Sequence, residues 1–264
     1  MAIDSIKGRL SPKNRIALAG IELEGGWNEH PPSPVVHDGS VKIPQPSTKK
    51  MPTFETNEAA EVWIKAERER LAKLTMIAIG EVVSPPIPAE EASITKFIAD
   101  NYPTRVNDTC GLHVHMSFTH KLNYQRLMTP DFTKAMVEGL KVWAAQEGLK
   151  ETHPLLARLY DANHPHCAHV YCGEAQSMQT SKDFRSRGTA HSRYTAINYC
   201  YSQHQTVECR LLAMMDTPEQ ATRAVLEVLN ITNRFLAKVR AKELKKVVRV
   251  PPANKTVSRF RVTV

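Results

Sequence analysis

Residues 110–118 read CGLHVHMSF, and their strict alternation predicts a β-strand with two chemically different faces. His113 and His115 fall on one face because side chains two positions apart on a strand point the same way. The apolar side chains of the other face are Leu112, Val114 and Met116. Such a strand belongs to a sheet that packs one face on a core and leaves the other face polar.

Two other segments repeat this arrangement with acidic and basic side chains. Residues 15–24, RIALAGIELE, place Glu22 and Glu24 on one face of a strand that we expect Gly25-Gly26 to end. The segment TVECRLL places Glu208 and Arg210 on one face of another strand. Taken singly, each pair has another interpretation. The two glutamates also fit a solvated sheet face, the two histidines fit surface histidines, and Glu208 with Arg210 fits a cross-strand ion pair. Taken together they favour a metal site, because clustered carboxylates repel unless a positive charge lies between them. Mg²⁺ and Mn²⁺ accept such oxygen ligands with an imidazole among them.

The remaining pattern predicts an α+β fold. Helix-forming composition predicts helices over residues 57–78, 88–100, 130–148 and 217–246. Further strands are predicted over residues 78–83, 193–201 and 206–214, with the last two joined as a hairpin. An Asp-Gly pair within residues 35–41 predicts a second hairpin. Because strands and helices do not alternate regularly, we expect an antiparallel sheet with helices on one side.

Composition narrows the class of protein. The chain has 264 residues, 42% of them hydrophobic, and no apolar run approaching the roughly 18 residues of a membrane span. No secretory signal is recognised and the five cysteines have irregular spacing, so we expect reduced thiols and a cytoplasmic location. From Arg234 onward the chain carries ten Lys or Arg and one acid, so the net charge of this segment (10 − 1 = +9) exceeds the formal charge of +8 of the whole chain. This predicts one domain over residues 1–246 and a basic tail over 247–264.

Six blocks in a fixed order resemble the amidoligases, which are ATP-dependent carboxylate–amine ligases related to glutamine synthetase and γ-glutamylcysteine synthetase. The resemblance runs from about residue 16 to residue 230, and its specific part is confined to the short blocks. The blocks are GIELEGGW (20–27), VHDGSV (36–41), GEVVSPP (80–86), CGLHVHMS (110–117), RYTAINY (193–199) and TVECRLL (206–212). The resemblance implies a strongly curved antiparallel sheet, with helices on its convex face and ATP and divalent metals on its concave face.

The resemblance also implies roles for individual residues. The metal ligands would be Glu22, Glu24, Glu81, His113 and Glu208. The groups that contact ATP phosphates or substrate would be His115, Arg193, Asn198 and Arg210. Those engaged in catalysis would be Glu24, Arg193 and Arg210, with the turn at residues 38–40 on the rim of the site. ATP would phosphorylate a small-molecule or peptide carboxylate, and an amine would then attack the acyl phosphate to form an amide.

Other interpretations stay open at the level of sequence. A phosphotransferase of the same fold group would use a similar site without forming an amide. A zinc module is suggested by the cluster His164, His166, Cys167, His169 and Cys172. Nucleic acid is not expected as a partner, because the basic tail contains one aromatic residue, Phe260. Neither a P-loop nor a Gly-x-Ser-x-Gly elbow occurs, and the oligomeric state is left undetermined.

Overall fold

The computed structural model of this chain describes residues 16–169 and 194–248. Within them, seven strands form one antiparallel sheet. Its strands are β1 (Ile16–Trp27), β2 (Val35–Val36), β3 (Ala78–Val83), β4 (Ile87–Pro88), β5 (Gly111–Phe118), β6 (Ile197–Cys200) and β7 (Thr206–Ala213). The strand order is β2-β3-β1-β5-β7-β6, and β4 pairs with β1. The sheet is open, and the predicted α+β class with an antiparallel sheet is confirmed.

Helices cover the predicted segments, and threonine side chains cap the start of several of them. They are α1 (Asn57–Leu74), α2 (Glu91–Asn101), α3 (Lys121–Leu127), α4 (Pro130–Gln146), α5 (Ala157–Tyr160), α6 (Tyr201–His204) and α7 (Pro218–Val248). The Thr56 hydroxyl accepts from the Ala59 N–H at 3.2 Å and begins α1. The Thr129 hydroxyl accepts from the Phe132 N–H at 3.3 Å, directly before Pro130 at the first position of α4.

Two sequence-based predictions were wrong: the end of β1 and the hairpin within residues 35–41. β1 does not stop at Gly25 but continues to Trp27, since Gly25 and Gly26 both pair with β3. A Cβ on Gly25 would collide with Pro103, so the glycine permits a close approach instead of ending the strand. The hairpin expected within residues 35–41 does not form, because β2 pairs with β3 instead.

The core lies between the apolar face of the sheet and the long helices. The β5 residues Leu112, Val114 and Met116 are fully buried, each stabilising the fold by about 1.5–3 kcal/mol. Helix α7 packs against α2, α4 and β5, and its Thr232 hydroxyl lies 3.1 Å from the Met116 sulfur. The other face of the same strands is therefore left to polar side chains. Among the described residues, the helices are too short or too polar to cross a membrane.

A buried acid fastens α1 to the segment before it. The Glu67 carboxylate accepts from the Lys49 backbone N–H at 2.8 Å and from Arg70 Nη2 and Nε, at 2.6 and 2.7 Å. Arg70 also donates to the Ser47 carbonyl at 2.7 Å. The hydrogen bond from Arg70, followed by that from Lys49, lowers the pKa of Glu67 to about 2. The carboxylate therefore stays ionised through most of the acid range.

We expect Glu67→Ala to release the segment around Lys49 from α1 while leaving the sheet intact. Hydrogen exchange at the Lys49 amide should accelerate by about tenfold, as expected when one charge-assisted hydrogen bond is lost. In the wild type this anchor is complete above the ordinary carboxyl pKa and is lost as pH falls through about 2, so the Lys49 amide shift should titrate there. Glu61→Ala, at an exposed position of the same helix, is the control and should change neither measurement.

Candidate functional site

Strand register places the predicted site residues on one sheet face. Directly opposed residues of an antiparallel pair share a face, and Glu22 of β1 lies opposite His113 of β5. His115 lies opposite Glu208 of β7, which in turn lies opposite Asn198 of β6. On the other side of β1, Glu24 lies opposite Glu81 of β3. Five strands thus contribute polar side chains to one surface.

The first group of possible metal ligands is Glu22, His115 and Glu208, with one ligand atom of each within 4.8 Å of the others. Glu22 Oε1 lies 2.9 Å from His115 Nε2, and Glu22 Oε2 lies 2.8 Å from His113 Nδ1. Glu208 Oε1 lies 3.9 Å from His115 Nε2 and 3.7 Å from His113 Nδ1. Both imidazoles therefore contact the same two carboxylates.

Electrostatics in this group favour charged forms in spite of burial. Burial raises the pKa of Glu22, but hydrogen bonds from His113 and His115 outweigh it and hold the pKa well below its usual value. Burial lowers the pKa of His115, but the Glu208 and Glu22 carboxylates outweigh it and raise the pKa. The raised pKa favours a proton on the imidazole between the two carboxylates, and a divalent cation that bound here would replace that positive charge.

The second group of possible metal ligands is Glu24, Asp38 and Glu81, again with one oxygen of each within 4.8 Å of the others. Glu24 is buried, whereas Asp38 and Glu81 are half-buried. The Ser40 backbone N–H donates to Asp38 Oδ1 at 2.7 Å and orients this carboxylate. Sequence reasoning placed the turn at residues 38–40 only at the rim. It missed Asp38 as a ligand because the pairing of β2 with β3 is long-range.

Arg210 and Asn198 surround the Glu208 carboxylate. Arg210 Nη1 donates to Glu208 Oε1, and Asn198 Nδ2 donates to Glu208 Oε2 at 2.8 Å. Burial lowers the pKa of Arg210, but Glu208 and two further acids raise it more, so the guanidinium is permanently charged. The buried Arg210 Nε and Asn198 Oδ1 have no hydrogen-bond partner within residues 16–169 and 194–248. Buried polar atoms without a partner are rare in native structures, so a bound polar group is one way in which these two atoms could be satisfied.

Arg158 is a site residue that sequence reasoning did not find. It belongs to α5, and its long side chain reaches the polar face of the sheet. Its Nη1 donates to His113 Nε2 at 3.2 Å, and its Nη2 lies 3.7 Å from Glu24 Oε2. The available signal was a charged residue inside the apolar run LLARLY (155–160), within a stretch that resembles no family block.

A cleft of about 430 Å³ opens beside the first group. Glu22, His115 and His204 are among the residues that line it. Part of its wall is apolar and exposed, with Leu18 38% and Val83 43% accessible. Its hydroxyl-bearing lining residues are Ser84, Ser117 and Thr206. An apolar wall that leads to a carboxylate–imidazole cluster suits a ligand with a flat apolar part and a charged part.

The structure brings together most of the predicted site. The residues that share the polar face are Glu22, Glu24, Glu81, His113, His115, Asn198, Glu208 and Arg210. Arg193, expected to bind phosphate or substrate, lies outside the described residues, as does the tail from residue 249. Its role stays a prediction.

The cluster suggested as a zinc module does not converge among the described residues. His164 and His166 have ring centroids 5.8 Å apart, and His169 Nε2 contacts the Arg158 carbonyl at 2.9 Å. Cys167 is buried, which raises the pKa of its thiol to about 12, and Cys172 lies outside the described residues. Within the described part of the chain, no three of these ligand atoms come together as they do in the two acidic groups.

Comparison of the chain with protein-family models, with curated proteins and with solved structures found no match. The functional assignment therefore depends on the side chains of the polar face and their geometry.

Proposed function

We propose that this chain is an ATP-dependent carboxylate–amine ligase that uses Mg²⁺ or Mn²⁺ and belongs with the amidoligases. The observation that carries the proposal is the pair of three-ligand acidic groups, side by side on one sheet face with Arg210 beside them. The proposal is that the sheet is curved and related to the catalytic domain of glutamine synthetase. The ordered sequence blocks agree with this geometry, because the residues of each group come from several of the blocks.

The donor sets fit hard divalent cations. The two groups offer five carboxylates and one imidazole, and Mg²⁺ and Mn²⁺ favour oxygen ligands with at most a minority of nitrogen. Glu22, His115 and Glu208 would hold the first cation, and His113, which contacts the same two carboxylates, is the alternative imidazole ligand. Glu24, Asp38 and Glu81 would hold the second cation. Bound cations would neutralise the phosphate oxygens of ATP.

The protein groups around the cations suit phosphoryl transfer to a carboxylate. A substrate carboxylate oxygen would attack the γ-phosphorus of ATP, and ADP would leave. Arg210 would donate hydrogen bonds to the transferring phosphoryl group, since its Nε is unengaged within the described residues. The amine nitrogen would then attack the acyl carbon, phosphate would leave, and the nitrogen would release one proton to solvent. The cleft beside Glu22 and His115 has room for the nucleoside.

Mass spectrometry provides the direct test. The full-length protein is incubated with ATP, Mg²⁺ and mixtures of small-molecule and peptide carboxylates and amines. The expected product is lighter by one water than the carboxylate plus the amine, with one ADP and one phosphate released per product. A stable phosphorylated product without an amide would identify a phosphotransferase instead, and cation-independent ATP turnover would contradict the proposed site. The Glu22→Gln variant serves as the blank for contaminating ATPases.

A further inference from the structure

We propose that His166 is the general base that removes a proton from the amine substrate before the amine attacks the acyl phosphate. His166 belongs to neither of the two acidic groups, and the phosphoryl-transfer step makes no use of it. It can have this role only if the chain forms amides, so the inference rests on the proposed function.

The groups of the polar face lie in a fixed order along the strands. On β7 the cleft is lined by Thr206, Glu208 of the first acidic group comes next, and Arg210 follows. At the usual rise of a strand, Arg210 lies about 13 Å beyond Thr206. Strand β1 runs in the same direction, because both strands are antiparallel to β5, and it leads from Leu18 in the cleft to Glu24 of the second group. The cleft and the second group are therefore at opposite ends of the polar face.

This order decides the end at which the acyl phosphate forms. In phosphoryl transfer the attacking and leaving oxygens lie roughly in line through the γ-phosphorus. With the nucleoside in the cleft, ADP leaves toward Thr206, and the substrate carboxylate attacks from the opposite end, which holds Arg210 and Glu24. The amine has to reach the acyl carbon at that same end.

His166 lies at this end of the polar face. Its loop is fastened to the chain before β6, because the Ala168 N–H donates to the Tyr194 carbonyl at 2.7 Å and the Ala196 N–H donates to the Ala168 carbonyl at 2.8 Å. The Tyr194 ring centroid lies 5.8 Å from the Arg210 guanidinium carbon. The half-buried His166 ring packs edge-on against Tyr194, with centroids 5.6 Å apart. The imidazole is therefore separated from Arg210 by one aromatic ring.

The charges around His166 keep its ring neutral. The charged and titratable groups that face it are Arg158 of α5, Arg210 of β7, Glu24 of β1, Asp38 of the segment after β2, Tyr194, and His164 of its own loop. Burial, followed by Arg158, lowers the pKa of His166, and Glu24 offsets this only in part. A neutral imidazole accepts a proton at neutral pH, whereas Glu24 and Asp38 are engaged in the second acidic group.

The neighbouring His164 does not share this position. Burial and Arg158 lower its pKa too, but the acids that raise it are Asp161 and Asp108, which belong to neither acidic group. Its Nδ1 accepts from the His166 backbone N–H at 3.2 Å, so His164 supports the loop that carries the base.

The proton passes from the amine to His166 before the new bond forms. An alkylamine arrives as an ammonium ion at neutral pH and has no lone pair until it loses a proton. A ring nitrogen of His166 accepts this proton, and the freed nitrogen attacks the acyl carbon. The bond between the acyl carbon and the phosphate oxygen breaks, and phosphate leaves with the electron pair. The nitrogen releases its second proton to solvent as the amide forms, and His166 returns its own proton to solvent.

Two amines of different basicity test this role. Hydroxylamine is largely unprotonated at pH 7 and needs no base, whereas an alkylamine does. The full-length protein is given ATP, Mg²⁺, a carboxylate that yields product in the mass spectrometric assay, and either amine. We expect His166→Gln to lower amide formation by about 100-fold, the lower end of what a general base contributes, and to raise the ratio of hydroxamate to amide by a similar factor. His120→Gln, at an exposed position before α3, is the control and should change neither quantity.

The outcomes separate the role of His166 from the proposed function. An equal loss with both amines, or no loss with either, would overturn the assignment of His166 as the base. A wild type that yields neither hydroxamate nor amide would contradict the proposed function itself.

The pH dependence provides a second test, part of which needs no activity. Only the neutral ring accepts a proton, so the wild-type rate of amide formation should fall as pH drops through the pKa of His166, and His166→Gln should lose this dependence. Nitrogen NMR of isotope-labelled histidine, with the His166 signals assigned by their loss in His166→Gln, should show a neutral ring at pH 7 and a pKa below the ordinary value of about 6.5. A ring that is still protonated at pH 7 would overturn the proposal.

Discussion

Glu22→Gln should lower cation-dependent ATP turnover by about 100-fold or more. Loss of a residue that only contacts a metal ligand already lowers affinity or activity by up to about 100-fold, and Glu22 is proposed as a ligand itself. Glu22 is the acid on which the first group depends, since its two oxygens lie 2.8 and 2.9 Å from the two imidazoles. Glutamine has the same shape and keeps one oxygen, but it removes the negative charge that attracts the cation. The loss should therefore appear as weakened Mn²⁺ binding in calorimetry as well as slower turnover.

The fold should survive this substitution. The polar face lies opposite the core, so we expect the melting temperature of Glu22→Gln to remain within about 5 °C of the wild type. Glu138→Gln, at an exposed acid on α4, provides a matched change of charge away from the site and should retain full activity. Wild-type Mn²⁺ affinity in Glu22→Gln would show that the first group holds no cation.

Arg210→Lys should lower the maximal rate of ATP turnover by about 1,000-fold, the lower end of what an arginine contributes to phosphoryl transfer. Lysine preserves the charge beside Glu208 but replaces a planar fork with a single ammonium. The Arg210 Nε, unengaged within the described residues, has no counterpart in lysine. Binding of ATP should change by only about threefold, because ground-state contacts depend mainly on charge.

The division between rate and binding is what distinguishes catalysis from structure. If Arg210 only neutralises Glu208, then Arg210→Lys should alter melting temperature and cation affinity while the maximal rate stays near the wild-type value. A large fall in rate with nearly unchanged ATP affinity, measured by steady-state kinetics and calorimetry on the same preparation, would support contact with the transferring group. Arg223→Lys is the matched control, since Arg223 also pairs with a glutamate but lies on the surface.

The sequence predicted the sheet better than its edges. The patterns of residues 110–118 and 206–214 were sufficient to predict β5 and β7, because side chains two positions apart on a strand share a face. They did not predict burial, since His113 and Glu208 on the polar face are buried as well. It could not show that Gly25 continues β1, since a glycine required by the approach of Pro103 looks the same as one that ends a strand. The Asp-Gly pair was likewise recognised as a turn signal, but the sequence did not show that the strand before it, β2, pairs with β3.

The same limit applies to the site. Glu22, His113 and Glu208 were predicted because each lies two positions from another polar residue on its own strand. Asp38 and Arg158 have no such local pattern, and both reach the polar face through contacts distant in sequence. Local periodicity identifies residues that share a strand face, whereas residues delivered by loops and short helices require the tertiary structure.

The two-residue pairing of β2 with β3 connects cation binding to the docking of the segment that carries Asp38. Glu24 and Glu81 are fixed within the sheet, but Asp38 joins them only when the segment that follows β2 lies against β3. A Cβ on Gly80 would collide with the Val36 carbonyl, so this docking depends on a glycine. A cation held by all three acids would therefore stabilise the docked segment in proportion to the logarithm of its concentration, which makes this loop a thermodynamic reporter of occupancy.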